Sequence, residues 1–206
     1  MTQKPGKRSS KRKEEIVDAC ESLYKTMDFK EITIKKIGEA TSFTRTSIYN
    51  YFHTKEEIFL ALLKREFERW TVELERETAA RARLTNDEIA ILFAESLNAR
   101  TQLLKIISAN HFDMEANSRL EVLIDFKVAY GNSMRAVENV LEKFRPDMDE
   151  ERRRNFIYAF FPFLPGVYSY AFITEKQRQA MNAVDVRYYE PTLRELVFNC
   201  VRKLLS

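Results

Sequence analysis

The chain has 206 residues, of which 45% are hydrophobic and 32% are charged, a composition that excludes a disordered protein and suffices for one large or two small domains. It contains 4 glycines and 5 prolines, too few for the turns of an all-β fold. Residues 1–55 carry 12 Lys and Arg against 7 Asp and Glu, whereas the rest carry 22 against 24. The basic end fits an anionic partner, nucleic acid or acidic lipid, although a solvated tail explains the charge equally well.

A basic tail and an amphipathic helix open the chain. Residues 1–10 are rich in Lys, Ser and Gly, and we expect them to form a disordered tail. From Lys11 onward apolar residues recur at helical spacing, with Ile16, Cys20 and Leu23 on one face. No apolar segment follows the basic residues of the tail, so no secretory signal peptide is expected.

Two short helices joined by a tight turn are predicted next. Thr33 is placed to cap a helix that ends near Ala40, and Thr44 is placed to cap a second helix that ends near Tyr51. Residues 41–43 form the turn between them. A longer helix precedes this pair and another follows it, which is the order of a helix-turn-helix motif. Other three-helix bundles show the same order, so the pattern alone is a weak signal.

A capping box starts the long helix that follows. Thr54 stands at the N-cap and Glu57 three residues later, where the two side chains satisfy the first backbone N–H groups of a helix. Apolar residues then hold one stripe from Ile58 to Leu74, and a charged, weakly periodic segment follows. The sequence therefore predicts a first domain over residues 11–55 that continues into a linking helix over residues 55–83.

The remaining residues, 84–206, repeat the pattern of capped helices and are expected to form a second domain. Residues 111–117 are predicted to be a connection, and Pro191 is predicted to lie in the first turn of the last helix. No alternation typical of strands is present, so we predict an all-α protein of about nine helices. Further capping boxes are predicted at Thr85, Ser118 and Thr174.

One uncharged stretch, residues 156–173, raises the alternative of a membrane span. A spanning helix needs about 20 apolar residues, whereas Pro162, Pro165 and Gly166 interrupt this stretch. The pattern favours a kinked helix that is buried on more than one side. We therefore expect no membrane contact.

Nucleophilic and metal-binding residues are sparse in this sequence. Cys20 and Cys200 both occupy apolar helical positions, which is typical of free thiols in the reducing cytoplasm rather than of a disulfide or a metal site. The chain has 2 histidines, and it lacks the HExxH, GxSxG, P-loop and GxGxxG motifs. We expect a cytoplasmic protein that is not an enzyme and carries no cofactor.

The second short helix of the motif carries polar side chains on one side. Ile48 and Phe52 are predicted to face the core, so the other side remains available to hydrogen-bond base edges and phosphates. A DNA-recognition helix requires this division between an anchored side and a polar side. The polar positions are Arg45, Thr46, Ser47, Tyr49 and Asn50.

Residues 44–59, TRTSIYNYFHTKEEIF, resemble the signature of the TetR family of bacterial transcriptional regulators. The family shows a small polar residue, a variable helix that ends in Tyr-x-Tyr/His-Phe, and then Lys-Glu and an apolar residue. The resemblance covers about residues 11–75. The chain departs from the family at Asp28 and Ser42, where glycine is common. It also departs at Thr46, where glycine or another small residue often occurs.

The resemblance implies roles in DNA binding. Arg45 is the best candidate for a bidentate contact to guanine, and Tyr49 for a contact to phosphate. His53 is either a contact or a solvated side chain, whereas Tyr51 and Phe52 are core positions. The residues expected to bind DNA are Thr33, Thr44, Arg45, Thr46, Ser47, Tyr49, Asn50, His53, Thr54 and Lys55. The basic residues expected to reach along the minor groove are Lys7, Arg8, Lys11 and Arg12.

The resemblance also implies a C-terminal ligand pocket and a homodimer. Pairing the helices over residues 156–172 and 193–204 with their symmetry mates would give a four-helix interface. The candidate pocket residues include few charges, which indicates an uncharged or amphipathic hydrophobic effector, although core packing is the better explanation of each residue taken singly. The candidates are Phe93, Ile107, His111, Phe112, Met114, Phe126, Tyr130, Phe163 and Tyr168.

The sequence is therefore compatible with two functions. The first is a ligand-responsive regulator, a repressor that binds double-stranded operator DNA and is released by a small-molecule effector, with activation left open. The alternative is a helical protein-interaction module whose basic end binds protein or anionic lipid. The two differ at Arg45, because Arg45→Ala weakens a regulator and leaves the interaction module nearly unaffected.

Overall fold

The computed structural model describes the backbone of residues 5–184 and 188–206, and the side chains of these residues except 5–8, 110 and 111. Within these ranges the chain forms ten α-helices and no β-strand, which confirms the predicted all-α class. In chain order the helices are α1 (Pro5–Tyr24), α2 (Ile34–Glu39), α3 (Arg45–Tyr49), α4 (Lys55–Ala80), α5 (Asn86–Asn98), α6 (Thr101–Ala116), α7 (Leu120–Phe144), α8 (Glu150–Ala171), α9 (Glu175–Ala183) and α10 (Leu193–Leu204).

The chain divides into two compact units. Unit 1 comprises Met1–Glu66 and Ala109–Tyr130, and unit 2 comprises Phe67–Ser108 and Gly131–Ser206. Helices α4, α6 and α7 each continue from one unit into the other. The end of α6 and the start of α7 thus belong to the same unit as α1–α3, although sequence order alone placed them in a second domain.

Aromatic packing holds α1 to α4 in unit 1. The ring of Phe59 lies 5.1 Å from that of Tyr24 and 4.6 Å from that of Phe29, measured between centroids. All three side chains are buried. Aromatic pairs of this kind contribute about 0.5–1.5 kcal/mol beyond the burial of their area. Helix α2 packs on α1, and α3 packs on α2.

Helices α2 and α3 approach each other at Gly38. A methyl group on Gly38 would lie 3.5 Å from Cδ1 of Ile48 and 3.5 Å from the carbonyl oxygen of Phe43. These are ordinary contact distances, so the space between the helices accommodates a methyl group and little more. Ile37 and Ile48 are fully buried. Each short helix is therefore anchored by one fully buried isoleucine, while Lys35, Arg45 and Tyr49 are exposed.

An aromatic cluster forms the core of unit 2. Trp70 of α4 is fully buried, and its indole N–H donates to the hydroxyl of Ser96 at 3.1 Å. Its ring centroid lies 6.1 Å from that of Phe161, and the Phe93 centroid lies 5.3 Å from that of Phe160. A buried indole requires a hydrogen-bond acceptor, and Ser96 supplies it. Helix α10 packs on α5 and α8 in the same unit.

Helix α8 has one buried face and one exposed face within unit 2. Phe156, Phe160 and Leu164 lie on the buried face. We predicted that this helix is buried on more than one side. Within a single chain, however, only one side is buried and the opposite face is exposed. The residues exposed there recur at helical spacing and are Tyr158, Ala159, Pro162, Pro165, Gly166, Ser169 and Tyr170.

The structure also bears on the alternative of a membrane span. Over the described residues, no single helix is long and apolar enough to cross a bilayer. Helices α8 and α9 meet the criteria of length and composition only when taken together, and they are bent by 77° at their junction.

Two helix ends extend beyond their predicted limits. Helix α1 already includes Pro5, the first described residue, so residues 5–10 are helical where a disordered tail was predicted. Helix α6 continues through most of the predicted connection to Ala116. The burial of Met114 favours this extension, since it gives the last turn an apolar anchor.

The capping boxes at Thr85 and Thr174 form as predicted. A further box, not predicted, forms between Thr192 and Glu195. Pro191 therefore precedes the N-cap of α10 instead of opening the helix. Threonine satisfies the local geometry of an N-cap, whereas proline, which lacks an N–H group, is readily accommodated one position earlier.

The predicted capping box at Ser118 does not form. The hydroxyl of Ser118 donates to the carbonyl of Met114 at 2.6 Å, and so contributes to the end of α6. The backbone N–H of Arg119, which precedes α7, donates to the Glu57 carboxylate at 3.1 Å. A side chain from a distant part of the sequence thus takes the place of the local cap.

Candidate nucleic-acid interface

Hydrogen bonds fix the turn between α2 and α3. The hydroxyl of Thr41 donates to the carbonyl of Gly38 at 3.0 Å and accepts from the Phe43 N–H at 3.2 Å. The hydroxyl and the N–H of Ser42 donate to the Glu15 carboxylate of α1, at 2.8 and 3.3 Å. A serine side chain therefore has a partner at the position where the family commonly has glycine.

Threonine side chains cap both short helices, as predicted. Thr33 accepts from the backbone N–H of Lys36, and Thr44 accepts from that of Ser47, each at 3.2 Å. The hydroxyls of Thr44 and Ser47 are also hydrogen-bonded to each other at 2.9 Å. Both short helices thus begin at a defined residue although they are only six and five residues long.

The outer side of α3 is polar and exposed. Arg45, Thr46, Tyr49 and Asn50 are exposed, while Ile48 is fully buried. Along a five-residue helix this division leaves one side for packing and one for a partner, as the sequence predicts. The structure therefore brings these four predicted contact residues together on a single surface.

Arg45 and Tyr49 contact each other one helical turn apart. The Arg45 Nη2 donates to the Tyr49 hydroxyl at 3.2 Å, and the guanidinium carbon lies 5.7 Å from the centre of the ring. Stacking of this kind restricts a long side chain and reduces the conformational entropy that is lost when it binds a partner. The pair presents the guanidinium at the exposed surface of α3.

Three predicted contacts at the start of α4 have different surroundings. The imidazole of His53 is exposed. The Lys55 ammonium donates to the carbonyl of Phe29 at 2.9 Å and lies 4.1 Å from the centre of its ring. The hydroxyl of Thr54 accepts from the Glu57 N–H at 3.2 Å and donates to the carbonyl of Asn117 at 3.0 Å. Thr54 therefore caps α4 as predicted, whereas its bond to Asn117 and the contacts of Lys55 with Phe29 were not predicted.

Arg12, predicted to act with the basic tail, lies on helix α1. Its guanidinium carbon is 5.6 Å from the centre of the Phe43 ring, and its Nη1 donates to the Tyr51 hydroxyl at 3.4 Å. Arg12 therefore packs against the motif rather than belonging to a tail. Lys11 is exposed, and the side chains of Lys7 and Arg8 lie outside the described residues.

Glu57 was predicted only as the capping partner of Thr54, but its carboxylate accepts from the N–H of His53, one residue before Thr54, and from Arg119. The Glu57 side chain is fully buried, and its carboxylate accepts from Nε and Nη2 of Arg119 at 2.7 and 2.9 Å and from the His53 N–H at 2.7 Å. Burial raises the pKa of the carboxyl, but the hydrogen bonds from Arg119 and His53 outweigh it, so the pKa of Glu57 lies below its ordinary value. The carboxylate remains charged, and its partners are fixed around it.

The predicted pocket residues fall in both units. In unit 1, Met114 and Phe126 are buried, Tyr130 is half-buried, and Phe112 is 86% exposed; the side chain of His111 lies outside the described residues. In unit 2, Phe93 and Ile107 are buried, and Phe163 and Tyr168 are half-buried. Phe93 packs within the aromatic core, which favours a structural role for it.

The two cysteines are free thiols. Cys20 is buried in α1, and burial raises the pKa of its thiol to about 12. Cys200 is half-buried, and burial raises the pKa of its thiol as well. Among the residues that the structure describes, no group of three or more His, Cys, Asp or Glu side chains is arranged to hold a metal ion.

Solved structures resemble this chain over nearly its full length. FadR, a fatty acid degradation regulator from Bacillus halodurans, is 16% identical, with a TM-score of 0.58 over 100% of this chain and 97% of that one. A putative TetR-family regulator from Mesorhizobium loti is 15% identical, with a TM-score of 0.61 over 96% of each chain. FadR from Bacillus subtilis, solved in complex with stearoyl-CoA, is 16% identical, with a TM-score of 0.60 over 93% of this chain and 97% of that one.

Family models match both parts of the sequence. A comparison with curated proteins gives no match. The model described as bacterial regulatory proteins of the tetR family matches residues 16–62. The model described as a tetracyclin repressor-like C-terminal domain matches residues 64–206. The chain therefore belongs to the TetR family of transcriptional regulators.

Proposed function

We propose that this regulator is a repressor that binds a specific operator as a homodimer, through the outer face of α3. The exposed polar surface of Arg45, Thr46, Tyr49 and Asn50, anchored by the buried Ile48, carries this proposal. An α-helix with this division fits the major groove of B-DNA. A single binding surface five residues long reads few bases, so a dimer that presents two such surfaces is required for specificity.

Within the proposed interface the residues have different tasks. Arg45, presented by its stacking on Tyr49, makes the bidentate base contact. Thr46 and Asn50 read neighbouring base edges, and Tyr49 contacts a phosphate. The capping residues Thr33 and Thr44, together with Ser47, whose hydroxyl is hydrogen-bonded to that of Thr44, position the two short helices beside the DNA backbone. At the start of α4, the exposed His53 belongs to the proposed DNA-binding residues. Thr54 and Lys55 belong to them as well, although both also have partners within the chain.

The exposed face of α8 supports the proposed dimer. Tyr158 and Tyr170 are 67% and 74% exposed on this face, and an added Cβ on Gly166 meets no atom within 4 Å. An apolar helix face with a glycine permits close approach of another helix. Pairing of α8 and α10 with their symmetry mates would bury this face in an isologous interface.

A hydrophobic or amphipathic small molecule is the proposed effector. The reason is the apolar and aromatic character of the predicted pocket residues, which include the buried Met114 and Phe126 of unit 1. FadR from Bacillus subtilis was solved in complex with stearoyl-CoA, which makes this amphipathic thioester the first probe for the present chain. We expect stearoyl-CoA, but not coenzyme A alone, to release operator DNA. If neither compound releases operator DNA but another apolar compound does, the chemical class of the effector changes and the proposed release mechanism stands.

Selection of genomic DNA tests operator binding. Purified protein is mixed with fragmented genomic DNA, and bound fragments are recovered over several rounds and sequenced. We expect the recovered fragments to share a sequence with two-fold symmetry, whose half-sites lie about one helical turn, ~34 Å, apart. Recovery of unrelated fragments would contradict the proposal and would favour a protein-interaction module.

A further inference from the structure

Hydrogen bonds within unit 1 join the residues just before α4 to the residues just before α7. The hydroxyl of Thr54 donates to the carbonyl of Asn117 at 3.0 Å. The Nη2 of Arg119 donates to the carbonyl of Tyr51 at 3.4 Å. These partners are 63 and 68 residues apart in sequence. The connection is therefore tertiary, and it involves the segment that leaves α3.

Glu57 lies at the centre of this connection. One carboxylate accepts from both the backbone N–H and the Nε of Arg119, from its Nη2, and from the N–H of His53, at distances from 2.7 to 3.1 Å. The carboxylate thereby holds Arg119, at the start of α7, against His53, at the end of the motif. The Glu57 side chain is fully buried, whereas the Arg119 side chain is 35% exposed.

Helix α3 depends on such connections because it is short. A helix of five residues contains about one turn, and an isolated turn is unstable since nucleation is unfavourable. The start of α3 is held by its own cap at Thr44. Its exit is held at Tyr51, whose hydroxyl accepts from Arg12 and whose carbonyl accepts from Arg119. Besides the buried Ile48, these two arginines therefore contact the segment that follows α3.

We infer that Arg119 is a positioning residue for the DNA-binding surface: through Glu57 and the Tyr51 carbonyl it sets the orientation of α3. This inference rests on the proposed function. Arg119 directly precedes α7 and is not one of the residues proposed to contact DNA. A change at Arg119 thus alters operator affinity without changing any DNA-contacting side chain.

The test separates positioning from general stability by comparing two duplexes. The operator duplex obtained by genomic selection and a scrambled duplex are titrated by fluorescence anisotropy with the natural protein, Arg119→Ala and Arg119→Lys. Arg100→Ala serves as the matched control, because Arg100 also joins a carboxylate, that of Glu73, and a backbone carbonyl, that of Arg69, but in unit 2. Circular dichroism and thermal unfolding confirm that each variant is folded.

We expect Arg119→Ala to raise the operator Kd at least tenfold and to leave the Kd for scrambled DNA within twofold. Arg100→Ala should leave the ratio of the two Kd values within twofold, even where it lowers the Tm equally. Arg119→Lys keeps the positive charge but lacks the planar guanidinium that reaches both Glu57 and Tyr51. Its operator Kd should lie between those of the natural protein and Arg119→Ala. If Arg119→Ala does not fold, Arg119→Lys is the variant that tests the inference.

An unchanged ratio of operator to scrambled affinity in folded Arg119 variants would overturn the inference. Equal weakening on both duplexes, or an equal change of the ratio in Arg100→Ala, would overturn it as well, because either result describes a general loss of stability. If the natural protein itself does not distinguish the duplexes, the proposed function fails instead, so the two failures are distinguishable.

Discussion

Arg45 and Tyr49 occupy the exposed side of α3, and their mutual contact is the most specific feature of the proposed interface. Both residue types were expected there from the sequence, because the positions follow from helical spacing around the buried Ile48. Their contact with each other follows from the same spacing, since residues four apart meet on a helix. Local geometry of this kind is accessible to sequence reasoning.

Arg45→Ala tests the proposed base contact. We expect the operator Kd to rise about 10–100-fold, equivalent to about 1–3 kcal/mol for one bidentate pair. The Tm should stay nearly unchanged because Arg45 is exposed. Arg76→Ala removes an equal charge from an exposed position of α4 in unit 2 and should leave operator affinity intact. An equal effect of the two substitutions in anisotropy titrations would argue against base recognition by Arg45.

Glu57 makes the stability of the protein depend on pH. Its folded-state pKa is lower than the ordinary value of about 4.3 for glutamate in the unfolded chain. The charged carboxylate therefore stabilises the fold fully above about pH 4.3, and this contribution is lost as the pH falls toward the folded-state pKa. Other carboxylates titrate in the same range, so only a comparison with a variant isolates Glu57.

Chemical denaturation of the natural protein and Glu57→Gln provides that comparison. We expect the natural protein to have the larger free energy of unfolding at pH 7. The difference should remain constant down to about pH 5 and shrink below about pH 4.3. A difference that stays constant from about pH 7 to about pH 3 would show that the ionised form of Glu57 does not stabilise the fold.

Residue-level roles that depend on distant partners were not predictable. Lys55 was expected to bind DNA, yet its ammonium contacts Phe29, which lies 26 residues earlier. Glu57 was expected to cap its own helix, yet its carboxylate also binds Arg119, 62 residues later. Periodicity reports only which face a residue occupies, so it contains no information on either partner.

At the scale of helices, ends fixed by neighbouring residues were predicted better than ends fixed by tertiary contacts. The capping boxes at Thr85 and Thr174 need only residues three positions apart, and both form. At Ser118 no such box forms, because the serine hydroxyl donates to the carbonyl of Met114 at the end of α6. The same limit explains the extension of α6, whose last turn is anchored by the buried Met114.

The contact between α2 and α3 at Gly38 allows a test at this scale. Gly38→Ala should be tolerated and should slightly raise stability, because the new methyl group meets its neighbours at 3.5 Å and alanine favours helix over glycine. Gly38→Leu should separate the helices, lower the Tm and abolish operator binding. Thermal unfolding and anisotropy measure both effects. Equal behaviour of the two variants would contradict the close approach of α2 and α3.

At the scale of the whole molecule, sequence reasoning established the family and the helical class but not the division into units. Residues 109–130 belong with α1–α3 in one compact unit, although they follow the linking helix in sequence. The residues that join them to the motif, Asn117 and Arg119, lie in a segment with no recognisable motif. Only tertiary contacts reveal this arrangement.

Dimerisation through α8 also belongs to this scale. Tyr158→Glu places two like charges on a face that the proposed dimer brings together, and such a contact costs several kcal/mol. We expect the dimer dissociation constant to rise about 100-fold or more, with a parallel loss of operator affinity. Light scattering after size-exclusion chromatography measures the mass. Val72→Glu, at an exposed position of α4, is the control, and a Tyr158→Glu protein that remains dimeric would place the interface elsewhere.

The central claim is sequence-specific recognition of operator DNA, and its most direct test is one anisotropy titration at two salt concentrations. The selected operator duplex and a scrambled duplex of equal composition are compared with the natural protein. We predict at least about 100-fold tighter binding to the operator, and a Kd on both duplexes that rises steeply with salt as phosphate contacts release counterions. Equal affinity for the two duplexes at both salt concentrations would contradict specific recognition and would leave only non-specific attraction of a basic surface to DNA.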